Sequence, residues 1–138
     1  MAEINATVHY GGNGFFVGIS PGGQALLMET NSERNSAPTP VELLLLAIGG
    51  CMGSDVVDIL AKKRERVTDY RIEVQGERRQ EAPRSYQTIR VHHVLRGPNL
   101  SEDAVKQAVE LSNAKYCSVA AALRPTAEVS VTIQVARD

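Results

Sequence analysis

The side chains with the greatest capacity for covalent chemistry are two cysteines, Cys51 in LLLLAIGGCMGSD and Cys117 in AKYCSVAAAL, 66 positions apart. A thiolate is a nucleophile toward peroxides, disulfides and carbonyls, and it is a metal ligand. Cys51 follows Gly49 and Gly50 and precedes Gly53 in an apolar helical run. Each glycine inside a helix costs about 1 kcal/mol relative to alanine, so three around one thiol need compensation. Either a neighbouring helix approaches closely, or space is left beside the sulfur for a small substrate. Free cysteine is also a common core residue, and packing remains open for both thiols taken singly. As a pair they matter if two helices bring their Cα atoms within the ~7 Å that a disulfide requires.

Metal ligation is the competing reading of the cysteines, with His9, His92 and His93 as partners. No CxxC or HxxxH spacing is present, and adjacent His92 and His93 point to opposite faces of a strand. Spacing therefore predicts no metal site and no cofactor, with His93 on the half-buried face and His92 on the wetter one. Asp55, one helical turn after Cys51, would disfavour a thiolate if it faced the sulfur, and is expected to point to solvent or a partner chain. Glu42 is accounted for by a capping box with Thr39, Pro40 holding the first helical position. Nine residues before Cys51, it lies about 900° of helical turn away, on the opposite side of a straight helix. Arg34 sits in the polar loop TNSERNSAP.

The elements that must position these groups follow from periodicity. Ile4, Ala6, Val8 and Tyr10 alternate, as do Phe15, Val17 and Ile19, around Gly11-Gly12-Asn13-Gly14: a hairpin. Pro21-Gly22-Gly23 turns the chain into a third strand over Gln24 to Met28, and Thr30 to Pro38 reads as a loop. A helix starts at Thr39 and continues through the basic cluster Lys62 to Arg66. Tyr70 to Val74 and Ile89 to Leu95 form a second hairpin. A second helix starts near Ser101 and runs to Pro125, burying Val105, Ala108, Val109, Ser112, Tyr116, Val119, Ala120 and Leu123. Val129, Val131, Ile133 and Val135 make a last strand. The order βββ-α-ββ-α-β predicts one α+β domain over residues 1–138, with a mainly antiparallel sheet on two long helices.

With 15 basic and 16 acidic residues in 138, no global field draws in nucleic acid or an anionic membrane. The first twenty residues lack a secretory pattern, and Leu43 to Ile48 is far short of the roughly 20 residues that span a bilayer. A cytoplasmic protein with free or transiently paired thiols is expected.

SAPTPVELLLLAIGGCMGSDVVDILAKKR, VQGERRQEAPRSYQTIRVHHVLRG and LSNAKYCSVAAAL, in this order, resemble the OsmC/Ohr family, particularly its small OsmC-like branch. The resemblance covers nearly the whole chain. It implies an intertwined homodimer, sheets wrapped around central helices, and thiol peroxidase activity on organic hydroperoxides and, less well, hydrogen peroxide, with a dithiol as reductant. By motif, Cys51 looks like the peroxidatic cysteine and Cys117 like the resolving one. The family pattern adds an Arg from a preceding loop and a Glu at the start of the first helix, for which Arg34 and Glu42 are the nearest candidates. The family's Asn-Pro-Glu motif puts the carboxylate ten residues before the cysteine, where this chain has Val41; Glu42 is one residue later, turned by about 100°. Two other functions are consistent with these residues. One is a non-catalytic dimer that binds a small hydrophobic ligand at the subunit interface. The other is a contact protein using Lys62 to Arg66 with Arg78 and Arg79.

Overall fold

The structure is a computed structural model that describes residues 3–31 and 33–137; position 32, within the expected Thr30–Pro38 loop, lies outside the described residues. In chain order the elements are β1 (Thr7–Gly12), β2 (Phe15–Ile19), β3 (Ala25–Glu29), α1 (Pro40–Lys62), β4 (Asp69–Arg78), β5 (Tyr86–Gly97), α2 (Glu102–Leu111), a π-helical turn (Ser112–Tyr116), α3 (Ser118–Leu123) and β6 (Glu128–Arg137). The α+β class is as expected. The chain forms two compact units, Met1–Leu44 and Leu45–Asp138, so their boundary falls inside α1.

In the first unit, β1, β2 and β3 form an antiparallel meander. The two-residue β1–β2 turn is Asn13-Gly14, and both residues have positive φ, 54° and 82°. That is the backbone a tight hairpin turn requires, and Asn-Gly supplies it at low steric cost. At the start of α1 the capping box forms as read: Glu42 N donates to Thr39 Oγ1 at 3.3 Å, and Thr39 N donates to Glu42 Oε1 at 2.9 Å.

The second unit holds the rest of α1 and a three-stranded sheet in the order β4-β5-β6. β4 and β5 make the expected antiparallel hairpin, but β6 runs parallel to β5, with Ile89 opposite Val129 and His93 opposite Ile133. The sheet is therefore mixed. β5 and β6 are joined by a helical crossover, the type of connection a parallel pair needs, and alternation along β6 is the same for either direction. The core beneath the sheet is Val56, Leu60, Leu95, Leu100, Val105, Ala108 and Val109.

Two helix ends differ from expectation. α1 stops at Lys62 because Arg64 turns left-handed at φ 59°, with Glu65 N donating to Leu60 O and Arg64 N to Ala61 O. This is a Schellman closure, which satisfies carbonyls that a longer helix would have used. The second helix, expected to run unbroken to Pro125, is interrupted. α2 starts as read, with Ser101 Oγ accepting from Ala104 N at 3.1 Å. At Ser112 it passes into a π-turn, Cys117 is extended (φ −72°, ψ 107°), and α3 begins afterwards. Ser112 and Asn113 are weak helix formers whose side chains compete for backbone partners. The wider turn also shifts the phase of the buried stripe, leaving Tyr116, expected inside, 51% exposed.

By length and composition α1 could cross a membrane, although the leucine run alone is too short. It buries Ile48, Met52, Val56 and Leu60. On another side of the helix, Leu46, Gly50, Ser54 and Val57 are exposed.

Candidate active site

Cys51 and Asp55 stand one turn apart on α1, so their side chains share a helix face. Cys117 reaches the same place from the junction of the π-turn and α3. Cys51 Sγ, Cys117 Sγ and an Asp55 carboxylate oxygen all lie within 4.8 Å of one another. Both cysteines are free thiols, Cys51 half-buried and Cys117 buried.

The break in the helix is what aims Cys117. Its N–H closes the π-turn on Ser112 O at 2.8 Å, and its Sγ caps α3 by accepting from Ala120 N at 3.3 Å. π-turns are rare and are often found at functional sites, because one extra residue re-aims the side chains that follow. Burial pushes the Cys117 thiol up to about 11; the Ala120 N–H opposes this, and the neighbouring Cys51 thiol adds to it. Cys117 is therefore held as a neutral thiol near pH 7.

Asp55 does not point away. Ser112 Oγ donates to its Oδ2 at 2.8 Å, drawing the carboxylate toward the π-turn and both sulfurs. Sequence reasoning expected Asp55 to face solvent or a partner chain and took Ser112 for one more position of a buried stripe. The available signals were the four-residue spacing from Cys51 to Asp55 and a polar residue on an otherwise apolar face. A further polar atom in the π-turn, Asn113 Oδ1, is buried without a hydrogen-bond partner among the described residues.

The glycines flanking Cys51 have two different roles. A Cβ at Gly49 would lie 3.2 Å from Val74 Cγ2, and one at Gly53 only 2.7 Å from Ile72 Cδ1. These two residues let α1 sit tightly against β4. A Cβ at Gly50 would meet nothing within 4 Å.

Beyond the thiols, His93 and His92 divide as expected. His93 is buried, with Nδ1 2.6 Å from Tyr70 Oη and with Nε2 unpartnered among the described residues. Burial, with His92 adding to it, pushes the His93 pKa down to about 4. Burial also raises Tyr70 well above the usual phenol range. His92 lies toward the wetter face, with Nδ1 2.7 Å from Thr132 Oγ1.

Arg34 and Glu42 belong to the first unit. Arg34 Nε donates to Glu29 Oε2 at 2.7 Å, Nη2 donates to Asn13 O at 2.8 Å, and the guanidinium stacks 3.8 Å over the Phe15 ring. Glu29, which sequence reasoning missed, is a fully buried carboxylate that also accepts from the Ser36 and Ala37 amides. Burial raises its pKa, but the Ala37 amide, Arg34 and the Ser36 amide outweigh it and hold the carboxyl below its usual range. The carboxylate that orients Arg34 is thus Glu29, while Glu42 serves the capping box.

The family profile described as OsmC-like protein matches residues 33–132. The chain belongs to the OsmC-like family. It is 42% identical over 120 residues to protein YhfA of Escherichia coli K12, covering 87% of this chain and 89% of that protein. Its fold matches a hypothetical protein from Aquifex aeolicus VF5 with a TM-score of 0.90 at 33% identity, over 100% of this chain and 99% of the other. A more distant structure is that of an organic hydroperoxide resistance protein, OsmC, from Legionella pneumophila. It superimposes with a TM-score of 0.72 over 97% of this chain and 98% of the other at 15% identity, which speaks for the fold alone.

Proposed function

We propose that this OsmC-like protein reduces organic hydroperoxides, and hydrogen peroxide less well, by a two-cysteine cycle. The observation that carries the reading is the pair of free thiols whose sulfurs lie within 4.8 Å although their elements are far apart in sequence. The half-buried Cys51 is the attacking residue and the buried Cys117 the resolving one, since the peroxide needs access and the second thiol needs only its partner sulfur.

In the first step the Cys51 thiolate attacks one peroxide oxygen and the O–O bond breaks. Cys51 becomes a sulfenic acid, and the departing alkoxide takes a proton to leave as alcohol. In the second step the Cys117 sulfur attacks the Cys51 sulfur. The S–O bond breaks, a disulfide forms, and the hydroxyl departs as water with the Cys117 proton. A dithiol then returns both cysteines to thiols, as a reducing cytoplasm would require. Arg34 is the family's candidate for polarising the peroxide. Its buried partner Glu29 holds that guanidinium in one orientation.

A homodimer is part of the same reading. The exposed stripe of Leu46, Gly50, Ser54 and Val57 on α1 has the small and apolar composition that lets a second helix approach. Sedimentation equilibrium giving a 14.9 kDa particle at micromolar concentration would remove that part.

The test of the enzyme is thiol accounting. Reduced protein given one equivalent of an organic hydroperoxide should lose two thiols per chain and gain one disulfide, while Cys117→Ser should stop at a sulfenic acid or overoxidise. Thiol loss no faster than that of a free cysteine in solution would overturn the assignment.

A further inference from the structure

We infer that the reduced protein binds one Zn2+ per chain through Cys51 Sγ, Cys117 Sγ and an Asp55 carboxylate oxygen. Linear spacing offered no metal motif, but the fold assembles these donors from α1 and the π-turn within 4.8 Å of one another. Around a tetrahedral ion with metal–sulfur bonds near 2.3 Å, two sulfurs stand about 3.8 Å apart. The sulfurs, within 4.8 Å of each other, need to close by at most about 1 Å.

The donor set selects the ion. Two thiolates and one carboxylate suit Zn2+ and its softer relatives and disfavour Mg2+ and Ca2+, which take oxygen ligands. Three protein ligands leave a fourth position for water, the arrangement of an open zinc site. The surroundings support the ligands in the usual outer-shell manner: Ser112 Oγ orients Asp55 at 2.8 Å, and the Ala120 amide points at Cys117 Sγ at 3.3 Å. A cation placed among the three donors offsets the negative charge that two thiolates and a carboxylate would bring together. Binding releases the two thiol protons and changes no oxidation state, giving a site of net charge −1. A Cys51–Cys117 disulfide has no thiolate to offer, so the ion and the disulfide exclude each other. Zinc would therefore hold both sulfurs reduced until a chelator or a stronger zinc site removes it. Binding needs only reduced thiols and does not depend on peroxide turnover.

The experiment is titration of the reduced, metal-free protein with Co2+ as a spectroscopic probe, followed by Zn2+ displacement and competition with a chromophoric chelator. One ion per chain is expected, with a sulfur-to-cobalt charge-transfer band and intense visible bands of a four-coordinate ion. Cys51→Ser and Cys117→Ser should each weaken binding by at least about 100-fold. Asp55→Asn should weaken it while keeping the sulfur band, and Ser112→Ala should weaken it by about 10-fold. Wild type oxidised to the disulfide should not bind, a control that needs no substitution. Absence of the sulfur band, equal affinity in the oxidised protein, or an Asp55→Asn variant that binds like wild type would each overturn the proposal.

Discussion

Replacing Asp55 by asparagine should make Cys51 more reactive. The carboxylate lies within 4.8 Å of the sulfur, and at that separation two unit charges repel by about 0.9 kcal/mol in bulk water and about 3.5 kcal/mol at an effective dielectric constant of ~20. Removing the charge lifts that repulsion from the anionic sulfur. A less basic thiolate is a weaker nucleophile, with rate following basicity to about the half power. The net expectation is a rise of about 2- to 20-fold in the rate of alkylation at pH 7. The assay is iodoacetamide alkylation followed by mass spectrometry, in a Cys117→Ser background so that one thiol is counted. Ser112→Ala, which frees Asp55 from its hydrogen bond, should leave the charge in place and move the rate less. An Asp55→Asn rate equal to or below that of its parent would refute the electrostatic role given to this carboxylate.

Gly53→Ala puts a Cβ 2.7 Å from Ile72 Cδ1, the far end of a flexible side chain, so displacing that methyl should offset part of the roughly 1 kcal/mol gain in helix propensity. Ile72→Val removes the opposing methyl, so a double-mutant cycle by urea unfolding should show favourable coupling of about 1 kcal/mol; strict additivity would contradict the contact. His93, with its pKa pushed down to about 4, stays neutral in the fold while the unfolded chain takes up a proton below about pH 6.5. Its contribution is complete above that pH and declines as pH falls toward 4, so unfolding at pH 4.5 should cost about 2 kcal/mol less than at pH 7.5, a difference reduced in His93→Asn. The His93 imidazole resonance, assigned by its loss in His93→Asn, titrating near pH 6.5 would sink this assignment.

Much of the scaffold was legible along the chain because its signals are local. Asn13-Gly14 dictates a tight hairpin, Thr39, Pro40 and Glu42 start a helix, and alternation along β4, β5 and β6 separates the face carrying His93 from that carrying His92. The candidate site was legible only in its sulfurs. A glycine-flanked cysteine on an apolar helix marks a place where something is fitted, but not what. Asp55 was expected to face outward because a carboxylate turned toward the sulfur would disfavour a thiolate. Its holder, Ser112, is 57 positions away. Glu29 escaped notice because its partner Arg34 and the amides that satisfy it come from an irregular loop without periodicity.

The sequence by itself determined the order of elements and the turn and cap chemistry, since these depend on residues within a few positions of one another. Tertiary structure alone decided that β6 lies parallel to β5, that the second helix opens into a π-turn, and that two sulfurs and a carboxylate share one small volume. Parallel and antiparallel partners bury the same alternating face, and a helix breaks where packing repays the lost hydrogen bonds. Such choices follow from contacts between distant segments, which local periodicity does not encode.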